Sequence, residues 1–393
     1  MINDTKSTKM GQALAITCFA SNLSQFPVFV SLGISSYLAI GTWLLFFAFC
    51  LIYHLKWKIE GGVMPVIIFI SIYAAFLCVM QVFSDNKYLN SGLIYPIFLS
   101  FFIMFLGTNV GKIINEKDFS NIISAYVYSA FIVCVYIFAT YLINPYDHVR
   151  YYSYTSKNSI SQIILTGALL TFLFKMQDKS VIKNLIHIGV AIFFVASLLL
   201  LRSRATLISI PFIVLFIIIF GSQKYKNFRI ISITLLVVGF LVLLLIPNAF
   251  NTLINDIIFG GRDSGDLDDL SSGRFGEWLN FFSDLGDGWF FGIGSTKRES
   301  LILTSILSYG FPMGIAVILF ALTPFIFSLR HIKNRDGLIT LVFYLGFIYF
   351  LNGIFEQLAP FGPGVKCYLL WLMFGIALAR QNMQENKSLG VLF

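Results

Sequence analysis

Arg202 and Arg204 flank Ser203 at the one charged interruption of an apolar stretch running from 185 to 221. Two guanidiniums at that spacing can each offer a fork of N–H donors to phosphate oxygens. Arg204 also precedes a fresh apolar run, and the first turn of a helix presents unpaired N–H groups and a positive dipole end to an anion. The plainer reading is two arginines snorkelling to lipid headgroups from neighbouring helix ends. A third arginine, Arg274, stands in Ser-Gly-Arg-Phe-Gly-Glu-Trp. Behind it Trp278, Phe281, Phe282, Leu285, Trp289 and Phe290 recur at mostly helical spacing. That pattern predicts an amphipathic helix lying on a membrane surface or capping a cavity, or more simply a packed loop helix with a solvated arginine. Gly292-Ile293-Gly294 then allows a tight turn. Glu299, just after Lys297 and Arg298, opens the next apolar run. Its carboxylate either satisfies the N-terminus of its own helix or serves as a general base beside the arginines.

Two further groups surround these residues. The stretch Asp147–Ser159 holds His148, Arg150, Tyr151, Tyr152, Tyr154, Lys157 and Asn158; its tyrosines suit an interfacial belt and suit sugar stacking equally. Arg150, Tyr152, Tyr154 and Asn158 are therefore candidate substrate contacts, with Arg202, Trp278 and Glu356. Asp263, Asp266, Asp268 and Asp269 lack the EF-hand pattern and read as a solvated acidic loop rather than a calcium site. No Walker motif, Gly-x-Ser-x-Gly or zinc-ligand spacing occurs, which argues against nucleotide hydrolysis or protease chemistry; no metal site and no cofactor is expected.

The elements that must carry these residues are membrane helices. Hydrophobic residues make up 58% of the chain and charged residues 12%, where a soluble domain has about 25% charged. The 43 Phe and a mean hydropathy of +0.83 point the same way. The apolar runs are continuous rather than alternating, which predicts helices and not a barrel. About 20 apolar residues cross a bilayer, and twelve spans are expected, roughly 11–31, 33–53, 63–83, 93–110, 120–143, 160–175, 185–201, 205–221, 230–246, 299–328, 337–355 and 362–379. The first is interrupted by Ser21, Asn22, Ser24 and Gln25. The 37 residues from 185 to 221 would make a helix of about 55 Å, so a break at Arg202-Ser203-Arg204 is required. No pair of broken helices is apparent. The chain is expected to be a single membrane domain over 1–393, with one long polar loop at 247–298 between the ninth and tenth spans.

With both termini in the cytoplasm, 17 of the 27 Lys and Arg fall on cytoplasmic segments. Four of the other ten lie in the long loop, so short loops divide 17 to 6, which satisfies the positive-inside rule. The net charge of +8 is thereby a matter of topology rather than nucleic-acid binding. The long loop, the arginine turn and Glu299 then share the extracytoplasmic side. Five cysteines, an odd count without metal spacing, read as small apolar residues with no disulfide framework. No cleavable signal peptide is visible.

At these residues the chain resembles the superfamily of O-antigen polymerases and O-antigen ligases. Arg202-Ser203-Arg204-Ala205-Thr206 resembles its helix-turn arginine, and Ser272-Gly273-Arg274 with Trp278 and Gly292-Ile293-Gly294 resembles its long-loop signature. Glu299-Ser300, Leu303, Ile306, Tyr309-Gly310 and Gly314 resemble the segment returning to the membrane, and Lys157-Asn158 an Asn-containing stretch before an earlier span. The resemblance implies an architecture similar to the GT-C glycosyltransferases in the bacterial inner membrane. It implies transfer of a glycan from undecaprenyl pyrophosphate at the outer face, with arginines rather than a metal neutralising the leaving group. Arg204, Arg274 and Glu299 would be the catalytic residues, and a chain-length regulator an expected partner. Ligases of the family carry a His-Asn pair where this chain has Glu299-Ser300, which favours the polymerase over the ligase. A lipid-glycan flippase is the alternative of another class.

Overall fold

The computed structural model describes residues 2–53, 55, 57–59, 61–83, 88, 92–143, 157–175, 181–201, 203–220, 233–234, 237, 245, 268, 271, 273–296, 298–332, 336–362 and 367–390. Every regular element among them is a helix: α1 Ile2–Leu23, α2 Pro27–Ser31, α3 Ser35–Ile52, α4 Met64–Phe83, α5 Ile94–Val110, α6 Glu116–Ile143, α7 Lys157–Leu170, α8 Val181–Leu201, α9 Arg204–Phe220, α10 Arg274–Leu279, α11 Phe281–Leu285, α12 Leu301–His331, α13 Gly337–Phe355 and α14 Tyr368–Gly390. Among the described residues, seven helical stretches are long and apolar enough to cross a membrane, and α5 and the body of α9 are shorter apolar helices. The molecule is an all-α polytopic membrane protein. The expected span at 230–246 lies almost wholly outside the described residues.

The first expected span, 11–31, is two helices. α1 ends at Leu23 and α2 restarts at Pro27, where proline suits the first helical turn because its missing N–H has no partner there anyway. The polar residues that interrupt this run are bonded rather than lipid-facing. Asn22 Nδ2 donates to Ser129 Oγ at 2.8 Å, and Trp43 Nε1 donates to Ser21 Oγ at 3.0 Å.

The described chain divides into two compact units: residues 1–21, 36–122 and 276–393, and residues 22–35 and 123–275. In the first, α5 and α14 touch backbone to backbone. A Cβ on Gly107 would come within 2.5 Å of the Leu372 carbonyl, and one on Gly375 would overlap that of Met104. Small residues allow such approach where lipid supplies no hydrophobic drive between helices. In the second, α7 packs against α8 and α9; Gly167 on α7 fits against Ala130 of α6 and Phe194 of α8.

α12 is the element on which the sequence expectation changes most. Its 31 residues are interrupted at Gly310, with φ 75° and ψ 175°. Only glycine adopts that conformation readily, and Pro312 follows at once. The break frees backbone groups that the incoming loop takes up: Ile293 N–H donates to Leu307 O at 2.7 Å, and Phe311 N–H donates to Trp289 O at 2.9 Å. Gly292, with φ 77°, sits so close that a Cβ would lie 2.5 Å from the Ser308 carbonyl group. One helix is therefore broken where the sequence suggested none.

Candidate active site

The arginine turn forms where the chain must reverse between two membrane helices. α8 ends at Leu201 and α9 begins at Arg204, which confirms the expected break. Ser203 occupies the cap position between them, and its carbonyl accepts the N–H groups of Thr206 and Leu207 at 3.1 and 2.9 Å. The Ser203 side chain reaches across to α7, donating from Oγ to Asn158 Oδ1 at 3.0 Å. It also lies 3.1 Å from Thr206 Oγ1, which in turn sits 2.7 Å from Ser161 Oγ. Ser203, Thr206 and Ser161 are buried, so each of these hydroxyls replaces water with a neighbour. The structure thus joins two stretches that sequence reasoning singled out separately, Lys157-Asn158 and the turn at 202–206. It does so through small hydroxyls that the sequence reading passed over. Arg204 is the first helical residue of α9, where the unpaired N–H groups and dipole favour an anion. Arg202, Arg150, Tyr152 and Tyr154 lie outside the described residues.

Arg274 opens α10 after a turn closed by Gly273 N–H donating to Asp268 O at 2.8 Å. Gly273 takes a positive φ of 82°, and Ser271 Oγ accepts the Phe275 N–H at 2.8 Å. The arginine is half-buried, and Trp278, one turn on, is exposed. The amphipathic stretch is not the single helix the spacing predicts. It is two short helices, α10 and α11, of which only Phe281 and Leu285 reach a core, packed on Leu303, Ile306 and Leu307 of α12.

Around the start of α12 a strip of polar side chains gathers. Glu277 Oε2 accepts the backbone N–H of Glu299 at 3.0 Å. Arg298 pairs with Asp284 at 2.5 Å, and Thr304 Oγ1 donates to the Arg298 carbonyl at 3.2 Å. Gln357 Nε2 donates to Thr296 O at 3.5 Å, which brings the loop carrying the half-buried Glu356 to the same strip. Glu299 is exposed and Ser300, the cap residue of α12, makes no side-chain cap bond. The carboxylate of Glu277 is thus held on the backbone N–H of Glu299, at the start of α12. Sequence reasoning quoted Glu277 inside its motif without assigning it a part, because the pairing spans 22 residues of chain. Tyr88 donates from its hydroxyl to Gly292 O at 3.2 Å, and burial pushes that phenol above the ordinary tyrosine value.

The helical scaffold makes this a multi-pass membrane protein. Residues 189–315 match a family model described as O-antigen ligase, roughly a third of the chain. That segment runs from α8 through the long loop to just past the break in α12, and over it the chain is similar to the O-antigen ligase family. No curated protein matches the sequence. The match supports a role of this type in surface glycan assembly and does not separate polymerase from ligase.

Proposed function

We propose that this protein is a polysaccharide polymerase that joins lipid-linked oligosaccharide repeats at the outer face of the bacterial inner membrane, with both termini in the cytoplasm. The carrying observation is that the family match encloses the Arg204 helix start, Arg274 and the Glu277–Glu299 strip within one segment. In the proposed step an acceptor sugar hydroxyl attacks the anomeric carbon of a glycan on undecaprenyl pyrophosphate. The anomeric carbon–oxygen bond to the diphosphate breaks, and the leaving pyrophosphate takes the electron pair. Arg204 and Arg274, with Arg202, stabilise that negative charge where it develops. Glu299 accepts the proton of the attacking hydroxyl, and its backbone is steadied by the bond to Glu277. Arg150, Tyr152, Tyr154, Asn158, Trp278 and Glu356 are assigned to the sugar and lipid-phosphate contacts around this centre, and a chain-length regulator to the partner role.

Arg204→Ala and Arg274→Ala should each give a folded, inserted protein whose cells make only single repeats on a polysaccharide gel. Normal ladders from both variants would refute the assignment. The ligase reading is favoured by the description of the matching family. Deletion separates the two, since loss of a polymerase leaves one repeat attached to the lipid core and loss of a ligase leaves none.

A further inference from the structure

The loop that enters α12 carries an apolar ridge whose height in the membrane follows from helix geometry. From Phe311 to Arg330 α12 runs without a break. Twenty residues at 1.5 Å each span about 30 Å, which is the thickness of the hydrocarbon core. That stretch ends in Arg330 and His331, a pair that suits a headgroup boundary. The break at Gly310 therefore lies at the opposite boundary. The backbone bonds from Phe311 to Trp289 and from Ile293 to Leu307 fix segment 289–293 at that same level.

The side chains at this level face outward. Phe282, Trp289, Phe290 and Phe291 are 63, 51, 64 and 50% exposed. Trp289 stacks on Phe311 of α12 with ring centroids 5.2 Å apart, and Phe282 stacks on Trp289 at 5.9 Å. Below Phe311 the exposed large hydrophobic residues of α12 are Ile315, Leu319, Ile326 and Leu329, spaced to fall on one face of the helix. In a membrane-spanning helix an exposed apolar stripe of this kind faces acyl chains. The aromatic ridge continues that stripe upward without interruption, through Trp289 on Phe311.

We propose that residues 281–293 form an interfacial insert, seated in the headgroup–acyl boundary of the leaflet remote from Arg330, with Phe282, Trp289, Phe290 and Phe291 in contact with lipid. Tryptophan and its aromatic neighbours favour this zone because one end of the ring is apolar and the other meets water. The insert would hold the broken end of α12 at the membrane surface whichever glycan chemistry the protein performs, so the inference does not rest on the polymerase reading.

Spin labels on the full-length protein in phosphatidylethanolamine–phosphatidylglycerol vesicles test it. Phe290→Cys and Phe282→Cys are made in a Cys78→Ser background, since Cys78 is the exposed native thiol and the other four are buried. Collision with oxygen, which partitions into lipid, is compared with collision with a water-soluble nickel chelate. The expected result is an oxygen-to-nickel ratio above one at both positions, lower than at a Leu319→Cys label in mid-helix and at least several-fold above an Asp268→Cys label in the long loop. Phe291→Cys repeats the measurement should either first variant misfold. A nickel-dominated signal equal to that of the loop label would overturn the proposal. A label immobilised and shielded from both reagents would overturn it too, because the ridge would then be covered by protein.

Discussion

Replacing Gly310 by alanine turns the break in α12 into a decisive measurement. In an ordinary helix a glycine-to-alanine change stabilises by about 1 kcal/mol. Here the sign should reverse. The φ, ψ pair of 75° and 175° costs a residue with a Cβ about 1–3 kcal/mol. The added methyl would also overlap the carbonyl of Phe290. Relief requires moving the loop away from the helix, which sacrifices the Ile293–Leu307 and Phe311–Trp289 backbone bonds, each worth about 1 kcal/mol net. The local penalty is then about 3–5 kcal/mol, and 1.4 kcal/mol is about a factor of ten, so the contact should open about a hundredfold more often at the lower bound. Hydrogen exchange by mass spectrometry on peptides spanning 286–294 and 307–312 reads this directly in detergent or nanodiscs. Gly41→Ala on α3, where a Cβ would meet nothing within 4 Å, is the control and should leave exchange unchanged. If Gly310→Ala slowed exchange in those peptides, α12 would be a continuous helix in the working protein and the argument for a pinned loop would fail.

Other expected outcomes follow from the same contacts. Asn158→Ala and Ser203→Ala should each lower thermal stability, and because the two side chains bond to each other the double variant should be less damaged than the sum, with a coupling of about 0.5–2 kcal/mol. Arg298→Ala should cost less than about 1 kcal/mol and the loss should shrink in high salt, because both partners of the Asp284 pair keep nearly a third of their surface in solvent. Burial raises the Tyr88 phenol in the folded state, so its bond to Gly292 O is fully present below about pH 10, the ordinary tyrosine value. That contribution is lost as pH rises through the raised folded value. Absorbance titration of Tyr88 against a Tyr88→Phe variant should locate this loss, and exchange in peptide 286–294 should rise with it in the native protein only.

Hydropathy alone carried much of the fold, because a bilayer forces each long apolar run into a self-bonded helix. It also placed the turn at Arg202-Ser203-Arg204, since no single helix of that length fits a membrane. The break at Gly310 was not legible. Glycine and proline are tolerated within membrane helices, and what makes this pair a break is a loop from twenty residues upstream supplying the missing backbone partners. The same reason hid Glu277 and the hydroxyls around Thr206. Their roles depend on pairings between distant stretches, whereas spacing along the chain reports only which residues share a face. The split of 11–31 into two helices was half legible: Ser21, Asn22, Ser24 and Gln25 marked the interruption, but the bonds of Ser21 to Trp43 and of Asn22 to Ser129 reach beyond any local pattern.

The glycine contacts between α5 and α14 bear on how anything bulky gains entry. With main chains touching at Gly107, Gly111 and Gly375, this pair has no side-chain cushion to compress and no room to slide, and it forms a fixed spindle within its unit. Opening to admit a guest must then be borne by parts held more lightly.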